Sequence, residues 1–359
     1  MDARALEVLE LPAILEQLAE QAASEPGRAR ALALTPSADG GAVVTRQRLT
    51  AEAVALLDGA AEPELGGVLD IRPSVALAER GGTLDPGTLR AISATAAAAM
   101  GARAALEAFE EARDLAAISA AVDPGLKSLV AAIDRAVEDD GADLRDGASA
   151  ALRRLRRELR EGRARLAERL QRLARDPGVQ EHLQDDFVTM RAGRPVLALR
   201  ASSRGSVPGI VHDTSGSGQT LFVEPFAVVE DSNRLREAES AERDEAARIL
   251  RELSAAVGSC AGQLAVLVDA VAEIDLALAC GSLSRSWRGT HVTVGPGVVL
   301  RGARHPLLEP ATAVPIDLDL GDLRAVVISG PNTGGKTVAL KTLGLAALLH
   351  QCGLRPPAE

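Results

Sequence analysis

The sequence predicts a mixed fold: a mainly α-helical core and a helical lever with a small β tip, followed by the start of an α/β domain. Three observations predict it. Stretches of helical periodicity fill most of the chain before Gly289. The period switches to two between Phe187 and Val229. Near the end, an apolar strand, a glycine-rich loop and a helix follow one another.

The first element, Met1 to about Asp140, is rich in Ala and Leu and is punctuated at Glu25-Pro26-Gly27, Asp85-Pro86-Gly87 and Asp123-Pro124-Gly125. It reads as packed helices joined by short turns, a helical core over 1–147. A coiled-coil-like stripe follows: Leu152, Leu155, Leu159, Leu166, Leu170 and Leu173 fall at steps of three, four or seven. This is a lever helix, 148–183, interrupted at Asp176-Pro177-Gly178. Alternating segments at Phe187 to Arg191, Val196 to Arg200, Gly209 to His212 and Thr220 to Val223 predict a small antiparallel sheet, a β-rich tip over 184–229. Leu235, Ile249, Leu250, Leu253 and Val257, then Leu264 to Ile274, mark a returning lever helix and core over 230–284. Two long helices flanking a β insertion can pair antiparallel and carry it at their far end.

After a turn region at Gly281 to Gly289 the pattern changes again. His291 to Val294, Val298 to Leu300 and Ile316 to Leu320 read as strands, and Ala325-Val326-Val327-Ile328 as a strand buried inside a parallel sheet. A helix from Lys336 to about Gln351 ends at Gly353 and Pro356-Pro357. Residues 285–359 are thus expected to be the N-terminal part of an α/β domain.

Composition narrows the classes. At 359 residues the chain is long enough for more than one core. Hydrophobic residues at 47% and charged ones at 25% match an ordinary soluble protein. The opening residues carry acids where a signal peptide needs a basic flank, and no stretch approaches the roughly 18 apolar residues of a membrane helix. A cytoplasmic protein with no membrane partner is expected. Cys260, Cys280 and Cys352 lie too far apart in sequence for a zinc or CxxC site and read as free thiols. A net charge of −10 excludes nonspecific nucleic-acid binding by the whole surface, so any such contact must be a local basic patch. Aromatic residues make up 1%, which removes the stacking platforms of single-strand binders.

Gly330-Pro331-Asn332-Thr333-Gly334-Gly335-Lys336-Thr337 fits GxxxxGK[ST] and stands between strand and helix, the context this phosphate loop requires. Its glycines let backbone N–H groups converge on phosphate oxygens, and the helix adds its positive end. ATP is the expected ligand. Lys336 would reach the β- and γ-phosphates, Thr337 would offer its hydroxyl to Mg²⁺, and Asn332 is either a nucleotide contact or a turn former. Hydrolysis also needs an acidic residue on a neighbouring strand and a group that orients water. No strand follows the helix to supply them, so catalytic residues stay unassigned and poor hydrolysis is expected.

Between Phe187 and His212 lie Arg191, Arg194, Arg200 and Arg204 and no acid, a candidate phosphate-contacting surface on an acidic protein. Arg153, Arg154, Arg156, Arg157, Arg160 and Arg163 on the lever, partly balanced by Glu158 and Glu161, read as a solvated helix face. His212 and His305 read as structural, hydrogen-bonding histidines.

The run Val327-Ile328-Ser329 through the loop to Thr337 and on to Lys341-Thr342-Leu343-Gly344-Leu345 resembles the nucleotide loop of the MutS family. Thr333 and Lys341-Thr342 resemble its second paralogue rather than the mismatch-repair MutS. Three more segments agree: Leu6-Glu7-Val8-Leu9-Glu10, the run from Gly209 to Pro225, and Arg304-His305-Pro306-Leu307-Leu308. The resemblance implies a core, lever and clamp followed by an ABC-type P-loop ATPase domain that works as a homodimer in the complete protein. It implies action on double-stranded or branched DNA, in suppressing recombination, and on stalled ribosomes and their rRNA, with a nuclease-like Smr domain at the C-terminus. The clamp tip would be 184–229, and 285–359 the truncated start of the ATPase domain. Phe109 and Phe222, in Phe-x-Glu strings, read as a helix-core and a strand residue rather than a mismatch wedge.

Two other readings remain: a noncatalytic scaffold fragment and the mismatch-repair MutS itself. A structural-maintenance coiled-coil ATPase would place the glycine loop before the coiled coil; here it follows.

Overall fold

The computed structural model describes residues 3–191, 193–294, 297–309, 311–321, 323, 325–329 and 335–359. The chain divides into two compact units, Met1–Asp134 with Ser254–Glu359, and Arg135–Leu253.

The first unit begins with α1 (Ala3–Val8), α2 (Leu11–Gln21), α3 (Glu25–Leu32), α4 (Gly40–Asp58), α5 (Arg72–Glu79), α6 (Pro86–Ala108), α7 (Arg113–Ser119) and α8 (Lys127–Ala136), the last running into the second unit. The triplets expected as turns are helix starts. Asp85 accepts from Thr88 N with Pro86 opening α6, and Ser24 accepts from Gly27 N at the start of α3. Proline suits the first turn because its missing N–H would have no partner there, and the side-chain oxygen before it caps the exposed amides.

The second unit holds α9 (Ala150–Ala174) and α10 (Pro177–Gln180), then β1 (Leu183–Arg191), β2 (Arg194–Arg200), β3 (Gly209–Thr214) and β4 (Thr220–Pro225), and most of α11 (Phe226–Ser259). The leucine stripe is internal: Leu152, Leu155, Leu159, Leu166 and Leu170 of α9 are all buried. Ion pairs fix the direction of α11 against α9, since Arg156–Glu242 (2.9 Å), Arg163–Glu239 (2.8 Å) and Arg169–Asp231 (2.7 Å) run in opposite order along the two helices. The pair is antiparallel. The four strands form one antiparallel sheet in the order β1-β2-β4-β3. Leu197, Leu199, Leu221 and Val223 of its inner face pack with Leu166 and Leu170 of α9.

The chain returns to the first unit through α12 (Ala261–Ser286), then β5 (Val299–Ala303), β6 (Ile316–Asp319) and α13 (Lys336–Cys352). The expected turn at Gly281 is the buried interior of α12. Its glycine is there for close approach, because a Cβ would come within 2.9 Å of Ala53 Cβ on α4. Asp275 of α12 is buried at 1% exposure and accepts from Ala23 N (3.0 Å), Ser24 N (2.8 Å) and the Ser24 hydroxyl, which ties α12 to the start of α3.

Two expected strands are corrected. His291 to Val294 forms no strand, and neither does Ala325 to Ile328, where Val327 is 90% exposed. A strand of the buried parallel kind needs neighbours on both sides. Among the described residues, β5 and β6 pair only with each other, antiparallel through Val299↔Asp319 and Leu300↔Leu318. Among the described residues no parallel strand pairing joins them. Among the described residues no single helix is long and apolar enough to cross a membrane.

Candidate nucleotide and nucleic-acid sites

Gly330, Pro331, Asn332, Thr333 and Gly334 lie outside the described residues. The exit of the loop is described. Gly335 caps α13 with φ 77 and ψ 8, a left-handed conformation that favours glycine, and Lys336 and Thr337 are the first two residues of the helix. The bond from Ala339 N to Gly335 O (2.9 Å) opens the helix. Amides ahead of such a bond point out of the helix end, where the dipole is positive. The glycine turn, cationic side chain, hydroxyl and helix end fit a phosphate and its Mg²⁺ in donor chemistry.

The rest of α13 is anchored in the helical core. Leu345, Leu348, Leu349 and Cys352 pack with Leu11, Ile14 and Leu18 of α2 and with Ala279, Cys280 and Leu283 of α12. Its last turn is held by side chains of α4: Arg46 donates to Gln351 O (3.0 Å), Gln47 to His350 O (2.9 Å) and Leu354 O (3.2 Å), and Thr50 to Gly353 O (2.7 Å). These donors meet the carbonyls that every helix C-terminus leaves unpaired. Burial, with nearby His291 adding to it, pushes the His350 imidazole below its ordinary value.

Cys280 and Cys352, distant in sequence, line one cavity of about 210 Å³ together with Arg30, Arg46, Thr50 and Glu273. Burial pushes the Cys352 thiol up to about 12, and the Cys280 thiol upward as well, so both are protonated and unreactive at neutral pH. Among the described residues no group of three or more His, Cys, Asp or Glu could hold a metal ion.

A charged cluster missed in the sequence joins three distant segments. Glu10 lies 2.9 Å from Lys341 Nζ through one carboxylate oxygen and 3.4 Å from His305 Nε2 through the other. His305 is buried, and its Nε2 makes no hydrogen bond of good geometry. Burial lowers its pKa and Lys341 lowers it further, while Glu10 opposes both. Each partner belongs to a segment that carries the family resemblance, but nothing in their separate spacings places them together.

The four arginines of the tip do not form one patch. Arg194 is taken up by the buried Glu224, and Arg191 lies with its guanidinium carbon 4.1 Å above the Phe222 ring and Nε 3.6 Å from Asp213. Arg191 and Arg194 face each other at one end of the β1–β2 hairpin. Arg200, opposite Thr220, stands at the other end of β2, about 20 Å away at the usual rise of a strand. Arg200 and Arg204 are both exposed, and Ala201 N donates to Gln219 O (2.9 Å), so the Ser215-to-Gln219 turn lies beside them.

Glu224 explains why Arg194 is engaged rather than free at the surface. Its carboxylate is 0% exposed and takes His212 Nε2 at 2.7 Å and Arg194 Nη1 at 3.1 Å. Burial alone would raise its pKa, but Ser232, His212 and Arg194 around it, with the Arg194 charge, hold it below the ordinary value. His212 is thus hydrogen-bonded to a carboxylate, as expected, whereas His305 lies 3.4 Å from Glu10 without a hydrogen bond at Nε2. Phe222 is a strand residue, as expected, whereas Phe109 sits just past the end of α6, half-buried against Gly59.

On the lever, Arg156 meets Asp143, Asp146 and Glu242, while Arg160 meets Asp146 and Arg163 meets Glu239. Arg156 and Arg163 thus tie α9 to α11, while Arg160 bridges to Asp146 just ahead of α9. Arg153, Arg154 and Arg157 are exposed on one side of α9.

No family model matches the chain. Among curated proteins it is similar to Endonuclease MutS2 of Thermomicrobium roseum, 43% identical over 378 residues covering 100% of this chain and 47% of the relative. It is likewise similar to Endonuclease MutS2 of Symbiobacterium thermophilum (43% over 361 residues, 100% and 45%) and of Pelotomaculum thermopropionicum (40% over 366 residues, 100% and 46%). The chain belongs to the MutS family, in the branch of its second paralogue, MutS2. It spans a little under half the length of these relatives.

Proposed function

We propose that the chain is the nucleotide-binding and nucleic-acid-gripping portion of a MutS-type clamp, with ATP and Mg²⁺ as its cofactors. The observation that carries this reading is the exit of the glycine loop: left-handed Gly335, then Lys336 and Thr337 at the positive end of α13. Gly330 to Thr337 would cradle the phosphates, with Thr337 on the metal. Arg200 and Arg204, exposed at the tip, would meet a phosphate backbone, and Arg191 and Arg194 would shape the tip that presents them. The target would be branched DNA, a stalled ribosome or both, read by shape and charge. In the complete protein the nucleotide site would sit in a homodimer, whose ATPase and endonuclease activities would draw on parts beyond this chain.

A titration of the 359-residue chain with a four-way DNA junction, and separately with ribosomes, at rising salt tests the target. Binding that weakens with salt and with Arg200→Glu/Arg204→Glu supports the reading; binding indifferent to that pair removes the tip from it. The exposure of Val327 at 90%, outside any sheet, favours a second reading, a noncatalytic scaffold, which predicts no saturable nucleotide binding by this chain.

A further inference from the structure

The backbone is unusual at Glu10. It adopts φ 62 and ψ 24 at the N-cap of α2, and its side chain makes no capping hydrogen bond. Only two other non-glycine residues among those described, Ala60 and Arg288, have positive φ. Such a conformation is disfavoured for a residue with a Cβ, and it persists where surrounding contacts over-determine it. Here the contacts are on the helix that follows the glycine loop. The turn aims the Glu10 carboxylate at Lys341 Nζ (2.9 Å) and towards the buried His305, while Leu9 packs on Gly344, where a Cβ would come within 2.7 Å of its Cδ2. Lys341 is five residues beyond Lys336, about 7.5 Å along the helix axis.

These contacts divide the work of holding α13. Arg46, Gln47 and Thr50 fix its far end, whereas Leu9 and Glu10 grip its near half through Gly344 and Lys341. The Glu10–Lys341 pair and the Leu9–Gly344 contact lie within about two turns of Lys336 and Thr337. A change at either contact is therefore felt at the start of the helix.

We propose that Glu10 is a positioning residue for the start of α13: by anchoring Lys341 it sets where the helix presents Lys336 and Thr337 to the phosphates of a nucleotide. This rests on the nucleotide-binding reading above. The α1–α2 corner is on this account a latch on the ATP site, and its sequence is constrained by nucleotide affinity as well as by core packing.

The test uses the 359-residue chain and a fluorescent N-methylanthraniloyl ATP with Mg²⁺, with thermal unfolding followed in parallel. Four variants are compared with the parent chain: Lys336→Ala, Glu10→Gly, Glu10→Lys, and Glu10→Lys combined with Lys341→Glu. Glycine at position 10 removes the carboxylate and relieves the left-handed strain, so the unfolding midpoint should hold while the Kd rises about threefold or more. Glu10→Lys should weaken binding further, and adding Lys341→Glu should restore most of it. An unchanged Kd in Glu10→Gly, with Lys336→Ala inactive in binding, overturns the latch and leaves the nucleotide site intact. A loss of affinity matched by a fall in the midpoint, with no rescue by the charge exchange, also overturns it. If Lys336→Ala binds like the parent chain, or the parent does not bind, the nucleotide reading fails and the latch falls with it.

Discussion

Arg194 donates through Nη1 to both carboxylate oxygens of Glu224, at 3.1 and 3.4 Å, and this pair removes from the surface an arginine that the sequence places on it. Glu224 is 0% exposed, so without Arg194 its charge would keep only the polar groups of His212 and Ser232 beside it. Arg194→Ala should therefore destabilise the second unit by about 3 kcal/mol, the lower end of the cost of breaking a buried pair, because His212 remains. Urea denaturation followed by circular dichroism measures it, and a loss below about 1 kcal/mol would show that the pair is dispensable.

The same carboxylate gives a pH dependence with a definite sign. Against the pull of burial, Ser232, His212 and Arg194 hold its pKa below the ordinary 4.5 in the folded state. The stability it contributes is fully present above 4.5 and is lost as pH falls through the lower, folded value. Between pH 6 and pH 3, the parent chain should thus lose more stability than Glu224→Gln. Parallel curves of unfolding midpoint against pH for the two proteins would mean that another group governs acid unfolding.

Arg200 and Arg204 are exposed at the far end of β2 and in the turn after it. Replacing both by Glu should lower the slope of log K against log salt for junction DNA by about 2, one phosphate contact for each residue, without moving the unfolding midpoint. Arg191→Glu should act differently, lowering stability through loss of its stacking on Phe222. Equal salt slopes for the parent and the double variant would leave the tip without a phosphate-contacting role.

Gly27 lies so close to Asp275 that an added Cβ would collide with the carboxylate. That carboxylate holds the amides of Ala23 and Ser24, and it cannot withdraw without leaving them unpaired. Gly27→Ala should cost about 2 kcal/mol, in the range of other overpacked interiors, although alanine is the better helix former. A neutral substitution, read by thermal unfolding, would show that α3 and α12 can move apart freely.

The sequence made much of this legible, and the physical reasons differ by element. The leucine stripe of α9 and the alternation in β1 to β4 are local periodicities, and local periodicity survives folding. Asp-Pro-Gly and Ser-Glu-Pro-Gly are ambiguous as sequence, since a turn and a capped helix start use the same residues. Ala325 to Ile328 has the composition of a buried strand, but strand formation depends on neighbours, which composition does not supply. Arg194 shows a related limit of local sequence. The run from Phe187 to His212 contains no acid, yet the acid that neutralises Arg194 is Glu224, twelve residues beyond His212 and adjacent only through the sheet. Glu10, His305 and Lys341 meet through tertiary packing alone.

Calorimetric titration of the 359-residue chain with Mg·ATP, beside its Lys336→Ala variant, tests the central claim most directly. A saturable heat with one nucleotide per chain, lost in the variant while its unfolding midpoint is kept, is the predicted result. No heat in either protein, or equal heats in both, would contradict the assignment of Lys336 and the turn before it to a triphosphate.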